Sequence, residues 1–268
     1  MTSNQKFQDY IIPKLQEFWN KHSDDYIHSR LTDGLFLPHV MKEYDSSEQK
    51  IFYIGQDAPY WLPADNMVKL FKEGNYSQYI EENNQVMHLL ESRLAWGNSP
   101  SAFWTMVNKL HLYLLTGEWK QDITKLTCHE MSLLNSVGYG NVNFIPLKQT
   151  IENYGNWDDV KPDLYIKIRK ALFSLEQLKG LLSAFEPDII IILTSHVNYL
   201  IEENLFNDLD ISWLSMIYES GPHISAGTIY NGKKTCKIAW TSNPNRYRFI
   251  GTNMYEVSSK IKEALRLE

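Results

Sequence analysis

Apolar and polar positions alternate along the chain with two different periods. Near the N-terminus, Phe7, Tyr10, Ile11, Phe18 and Trp19 recur with a spacing of about 3.6 residues and polar residues between them, which predicts an amphipathic helix. Asp33-Gly34 marks a turn, and Ile51 to Ile54 is short enough and apolar enough for a strand. Helical patterns dominate from Pro63 to about Asn135. Met67, Val68 and Phe71 form one face, and Pro100 opens a second pattern through Phe103, Trp104, Val107, Leu110, Leu114 and Leu115. Gly138-Tyr139-Gly140-Asn141 reads as a break before a second strand, Val142 to Leu147. A helix is expected over Pro162 to Phe185, stopped by Pro187. The unbroken run Ile189 to Leu193 predicts a strand buried on both faces. Ile224 to Tyr230 and Lys234 to Trp240 flank Asn231-Gly232, a type I′ hairpin signal. Tyr255, Val257, Ile261 and Leu265 outline a closing helix.

Strands separated by helices predict an α/β protein with a mostly parallel central sheet, to which the hairpin adds one antiparallel strand. No repeat, low-complexity tract or Ser/Gly-rich linker divides the sequence. A single domain over residues 1–268 is expected, with an N-terminal helical extension (about 1–45) and a helical insertion (about 63–135).

Composition narrows the function classes. At 43 % hydrophobic and 22 % charged residues, the chain has the make-up of an ordinary globular protein rather than a disordered one. A formal net charge of -6 argues against a protein that coats nucleic acid non-specifically, while leaving room for a local basic groove. No apolar stretch is long enough to span a bilayer, and the N-terminal residues lack the apolar core of a signal peptide, so no membrane association is expected. Two cysteines, Cys128 and Cys236, are too few for a disulfide framework and fit a reduced cytoplasmic setting.

Candidate chemistry gathers at the strand ends, where open α/β sheets bind their ligands. The first strand runs straight into Gly55-Gln56-Asp57, then Tyr60 and Trp61. Asp57 suits a helix cap or Asx-turn, and equally a carboxylate that orients a water for attack. Tyr60 and Trp61 suit a core, and equally a stack on a planar ligand. Asn141 and Asn143 border the second strand, and Thr194-Ser195-His196 follows the buried one. The last strand ends in Ser242-Asn243-Pro244-Asn245. Asn-Pro is a turn initiator, and an amide there also suits donation to a developing anion. Arg246 and Arg248, interleaved with Tyr247 and Phe249, read either as a solvated face or as phosphate contacts with a base-stacking wedge. Cys128-His129-Glu130 lacks a second pair at zinc spacing, so no metal is expected. His196, after the buried strand, reads as a hydrogen-bonded structural histidine or as one facing the site, and His223 as the start of a strand. No dinucleotide, nucleoside triphosphate or nucleophile-elbow motif is present, and no cofactor is expected.

These residues together resemble the uracil-DNA glycosylase superfamily. Gly55-Gln56-Asp57-Ala58-Pro59-Tyr60 is similar to that family's Gly-Gln-Asp-Pro-Tyr motif. Gly140 to Pro146 looks like its intermediate strand, where an Asn reads the pyrimidine edge. Ser242-Asn243-Pro244-Asn245 resembles its closing His/Asn-Pro-Ser turn, and the order of all three matches. The resemblance runs from about Ile51 to the C-terminus and implies a three-layer α/β/α domain. It implies that Asp57 positions the attacking water and that Asn243 stabilises the departing base, as in the Asn-Pro, mismatch-specific branch. It places Gln56, Tyr60, Trp61 and Asn141 on the base, with Asn143 as the second choice for reading its edge. Ser242, Asn245, Arg246, Tyr247 and Arg248 fall where the family contacts nucleic acid. The implied activity is hydrolysis of the N-glycosidic bond of a modified or mispaired base in DNA. The alternative is a catalytically lapsed protein of the same fold that binds a nucleobase or nucleic acid. Four departures bear on that choice. Ala58 lengthens the Asp57 loop, Trp61 replaces the usual His, Asn245 replaces a Ser, and the extension and insertion exceed a minimal uracil enzyme.

Overall fold

The structure, a computed structural model, describes residues 1–55, 62–88, 102–123, 125–142, 144–145, 160–173, 176–194, 210–216, 224–230, 233–245, 247 and 251–266. In chain order the elements are α1 (Ser3–Ser29), β1 (His39–Val40), β2 (Ile51–Gly55), α2 (Ala64–Lys72), α3 (Tyr76–His88), α4 (Ala102–Thr116), α5 (Cys128–Leu134), β3 (Val137–Asn141), α6 (Pro162–Phe173), α7 (Gln177–Phe185), β4 (Ile189–Leu193), β5 (Asp210–Met216), β6 (Ile224–Tyr230), β7 (Thr235–Thr241) and α8 (Met254–Ala264).

The seven strands form one sheet in the order β1-β3-β2-β4-β7-β6-β5. β3, β2, β4 and β7 run parallel, while β1, β6 and β5 are antiparallel to their neighbours. The protein is therefore mixed α/β, and the expectation of a mostly parallel sheet with one antiparallel strand is corrected: three of the six pairings are antiparallel. Each central strand sends alternate side chains to opposite faces. Phe52, Ile54, Ile190, Ile192, Ile238 and Trp240 join a core built with α1, α2, α3, α6 and α7. Ile51, Tyr53, Ile189, Ile191, Leu193 and Ala239 join a second core under α4 and α8. Burial on both faces explains the unbroken isoleucine run of β4. α1 belongs to the first core through Phe7, Ile11, Leu15, Phe18 and Trp19.

Strand β3 lies five residues earlier than the pattern suggested: Val137–Asn141 is the strand itself, not a break before one. The glycines that signalled a break serve a close approach. A Cβ on Gly138 would stand 2.3 Å from Cδ2 of Phe52. Phe52 lies across β3 and stacks on Phe185 at 5.4 Å, which stacks in turn on Phe7 at 5.0 Å. A glycine in a strand marks this kind of contact. The single helix expected from Pro162 to Phe185 is two helices, α6 and α7. Glu176, ahead of α7, is left-handed (φ 49°), and Lys14 holds its carboxylate at 2.8 Å. β1 is fastened by α1: the Asn4 side chain donates to the Val40 carbonyl at 2.8 Å and accepts from the Val40 amide at 3.0 Å. That seals a sheet edge which would otherwise expose unpaired backbone groups. Val257 and Ile261 of α8 and Leu265, its C-cap, are buried as expected, whereas Tyr255 is 48 % exposed and packs on Trp119 and Tyr113.

Helix α5 starts with a capping box. Glu130 accepts from the Thr127 amide at 2.8 Å, the Thr127 hydroxyl accepts from the Glu130 amide at 3.2 Å, and Lys120 pairs with the same carboxylate. The Lys120 hydrogen bond, ahead of the Thr127 amide, holds the Glu130 carboxyl at about 2, well below its ordinary value. A depressed carboxyl stabilises the fold above its unfolded-state pKa of about 4.3 and loses that contribution as pH falls towards the folded value. Glu130→Gln is therefore expected to flatten the acid limb of a stability-against-pH curve between about pH 4.5 and pH 2. Parallel curves for variant and wild type would show that the carboxylate is not held this way.

Candidate functional site

Parallel pairing brings four strand ends to one edge of the sheet. Gly55 pairs with Asn141, Leu193 pairs with Thr241, and Ile54 pairs with Ile192. The last residues of β3, β2, β4 and β7 thus form a row: Asn141, Gly55, Leu193, Thr241. Strand alternation turns all four towards the face covered by α4 and α8, the face that also receives Tyr53, Tyr139, Ile191 and Ala239. With strands about 4.8 Å apart, the row is about 14 Å long. It runs from an amide, past a residue with no side chain and a leucine, to a hydroxyl.

At the β3 end, Asn141 is 1 % exposed. The Tyr139 hydroxyl donates to Asn141 Oδ1 at 2.8 Å, and the Gln177 side-chain amide, at the start of α7, donates to the Asn141 carbonyl. The Tyr139 ring is enclosed by Trp104 at 4.6 Å, Phe36 at 5.2 Å and Phe103 at 5.3 Å. Gly55 lets Asn141 and Phe103 close in on the centre of the row. A Cβ there would meet Asn141 Oδ1 at 2.7 Å and the Phe103 ring at 3.0 Å. Asp57 follows this glycine by two residues in the sequence.

At the β7 end, the Thr194 amide donates to the Thr241 carbonyl at 3.2 Å and the Trp240 indole to the Thr194 carbonyl at 3.0 Å, so the β4–β7 contact continues past the last residue of β4. Ser242 and Asn243 are half-buried and Asn245 is exposed. The Asn245 amide donates to Asn243 Oδ1 at 3.0 Å, which closes an Asx-turn through the oxygen end of the Asn243 amide and does not use its NH2 group. The turn reading of Asn243 and the donor reading are thus compatible, because they use opposite ends of one side chain.

Tyr247 is placed differently from the sequence expectation. It is 3 % exposed and belongs to the core under α8, with its carbonyl accepting from the Thr252 amide at 3.0 Å. A ring flanked by arginines in a loop looks exposed in sequence; here the approach of α8 captures it, so its ring is not part of a nucleic-acid rim. Burial raises its phenol pKa above the ordinary value. Gln56, Asp57, Tyr60, Trp61, Arg246 and Arg248 lie outside the described residues, as do Asn143, Ser195, His196 and His223.

Sequence reasoning missed Thr241, Tyr139, Phe103 and Gln177. None stands in a motif; packing brings Tyr139, Phe103 and Gln177 to Asn141 and Gly55, and pairing register puts Thr241 at the other end of the row. Thr241 is 2 % exposed, and its hydroxyl has no hydrogen-bond partner among the described residues. A buried hydroxyl without a partner costs about 1–3 kcal/mol, a cost that proteins keep at functional positions. Thr241→Val is expected to raise the unfolding free energy by about 1 kcal/mol in a denaturant titration. A less stable variant would mean that the hydroxyl is bonded in solution and carries no such signal.

The opposite edge of the sheet is of the wrong charge for nucleic acid. A cleft of about 860 Å³ there is lined by Glu43, Glu48, Glu118 and Glu130 together with His129 and Ser136. Among the described residues, no three His, Cys, Asp or Glu side chains converge on a metal-sized position, and no helix is long and apolar enough to cross a membrane. Comparison with known proteins gives no match to a family model, to a curated protein or to a solved structure.

Proposed function

We propose that this chain is a DNA glycosylase-like hydrolase, a divergent relative of the uracil-DNA glycosylases with their three-layer α/β/α arrangement as one domain. It releases a modified or mispaired base by hydrolysing the N-glycosidic bond. One observation carries the reading. The three strand ends that bear the motif-like residues belong to one row on one face of the sheet, with Gly55 beside Asn141 and the Asn243 turn directly after Thr241. These segments are far apart in sequence, and a shared base-sized guest gives them a common purpose.

The chemistry follows from the charges that develop. Breaking the bond puts positive charge on the sugar and negative charge on the base. Asp57, on the segment leaving Gly55, supplies a carboxylate that orients water and faces the cationic sugar. The Asn243 NH2 group donates to the departing anion. Asn141 reads the base edge, while Gln56, Tyr60 and Trp61 wall the extruded ring, as base-acting enzymes require. Ser242, Asn245, Arg246 and Arg248 serve the DNA strand. This chemistry needs no metal or organic cofactor. A cytoplasmic setting belongs to the same proposal: both cysteines are free thiols, and burial pushes Cys236 up to about 12, out of the reactive range.

The test is base release. Single- and double-stranded oligonucleotides carrying uracil, hypoxanthine or another lesion are incubated with the protein, and free base is quantified. Release from at least one substrate supports the reading, and no release from any of them removes it. The second reading is a lapsed enzyme that only binds. It draws on the residue inserted at Ala58 and on the burial of Tyr247, which takes an expected DNA contact off the surface. Salt-dependent binding without base release favours this alternative; absence of binding even at low salt counts against both, since phosphate contacts are strongest there.

A further inference from the structure

We propose that the head of α7 is a binding site for one ordered water, held between the first-turn amides of the helix and the side chain of Gln177. Gln177 is 8 % exposed. Its NH2 group donates to the Asn141 backbone carbonyl. A carbonyl oxygen only accepts, so this bond decides which end of the Gln177 amide faces β3. Oε1 is the other end, and this buried acceptor has no hydrogen-bond partner among the described residues. Gln177 also lines a cavity of about 10 Å³, with apolar walls from Ile54, Val142, Leu178 and Leu181. All four belong to the core on the α1 side of the sheet.

α7 supplies the complementary donors. The first amides of a helix have no carbonyl one turn back to bond, and Glu176, the N-cap, gives them no side-chain hydrogen bond. Leu178, the second residue of the helix, carries one of these amides and lines the same cavity. Glu176 is engaged elsewhere. Lys14 of α1 holds its carboxylate at 2.8 Å, and its carbonyl accepts from the Tyr10 hydroxyl at 3.2 Å. Those contacts support a left-handed backbone (φ 49°) that side chains rarely adopt, and from it Gln177 reaches β3. The two halves of the site select the ligand. A helix N-terminus alone suits an anion, but an anion has no proton for Oε1 and would face its lone pairs. A cation has protons but opposes the positive end of the helix. Water donates to Oε1 and accepts from an amide at once, and a cavity of this size admits one water and nothing larger. Bound there, it joins α7 to the end of β3.

A crystal structure of the full chain that resolves ordered solvent should show one water about 2.8 Å from Gln177 Oε1. No water there, or Oε1 bonded to a protein group, would overturn the proposal. Val142→Ile, which adds a methylene to the cavity wall, gives a second readout in a urea titration. Filling a dry cavity raises the unfolding midpoint, whereas displacing a water that serves Gln177 leaves a buried acceptor unpaired and lowers it. The expected shift is a fall of about 0.5 M urea. Gln177→Met removes the acceptor and keeps the length of the side chain, so on that background Val142→Ile should no longer lower the midpoint. An equal fall on both backgrounds would mean that the methylene is merely overpacked, and a rise in the otherwise wild-type chain would mean that the cavity is dry; either result overturns the water site. Neither readout involves base release, so the outcome is separate from that of the glycosylase reading.

Discussion

Gly138→Ala should lower the unfolding free energy by about 3 kcal/mol, at the upper end of what one added methyl costs in a packed core. The new Cβ would stand 2.3 Å from Phe52 Cδ2 and 3.0 Å from both Phe52 Cε2 and Tyr44 Cε2. Phe52 cannot retreat, because its other face is stacked on Phe185, and Phe185 on Phe7. The contact is also central to the fold: it joins β2 and β3 to α1 and α7 in the larger core. Gly180→Ala is the matched control. Its Cβ would also come within 2.3 Å of a ring, that of Tyr10, but Tyr10 is only half-buried and able to swing towards solvent. Chemical denaturation should therefore give a large loss for Gly138→Ala and a smaller one for Gly180→Ala. Phe52→Leu should restore part of the loss in the double variant, since the two sites are in contact and their effects are coupled. A Gly138→Ala protein within about 0.5 kcal/mol of wild type would show that the aromatic stack is looser than this geometry requires.

The same glycine explains why part of the fold was legible in the sequence and part was not. β2 and β4 announce themselves because their side chains are buried along their whole length, and the β6–β7 pair because Asn231-Gly232 signals a hairpin between two apolar stretches. α1 and α8 are legible because one stripe of each is buried. β3 is hidden because its two glycines answer to Phe52, a residue far away in sequence, and local reading takes a glycine for a turn. β1 is two residues long and depends on the Asn4 side chain, a tertiary contact with no local pattern. Much the same division holds at the site. Asn243 was found because polar residues abruptly end an apolar strand, and Asn141 because it borders the start of an expected strand, Val142 to Leu147, and fits the resemblance. Thr241 and Tyr139 look like ordinary strand residues, and only the pairing register puts one in the row with Asn141 and the other under its amide. Tyr247 was misjudged for the converse reason: its neighbours in sequence are charged, while its neighbours in space are the apolar residues under α8.

Replacing Asp57 and Asn243 with residues that keep their structural roles should separate the two meanings each has carried. Asparagine caps a helix or closes an Asx-turn about as well as aspartate, so Asp57→Asn keeps that function and loses only the charge. If the carboxylate orients water and faces the cationic sugar, kcat/KM for base release should fall about 10²- to 10⁴-fold. Asn243→Asp makes the reciprocal test. Its carboxylate still accepts from the Asn245 amide, as Asn243 Oδ1 does at 3.0 Å, so the turn survives. The donor is lost, however, and a negative charge replaces it where the departing base becomes an anion. The expected loss is at least the roughly 10²- to 10³-fold seen when a single donor to a developing anion is removed. Asn243→Ala should be no more damaging to activity than Asn243→Asp, although it breaks the turn; a purely structural role predicts the opposite order. Unfolding midpoints close to wild type for Asp57→Asn and Asn243→Asp would confirm that folding is not what was measured. If both variants release base at the wild-type rate, the carboxylate and the amide are caps and nothing more. The chemistry must then be sought elsewhere in the row, beginning with the Thr241 hydroxyl.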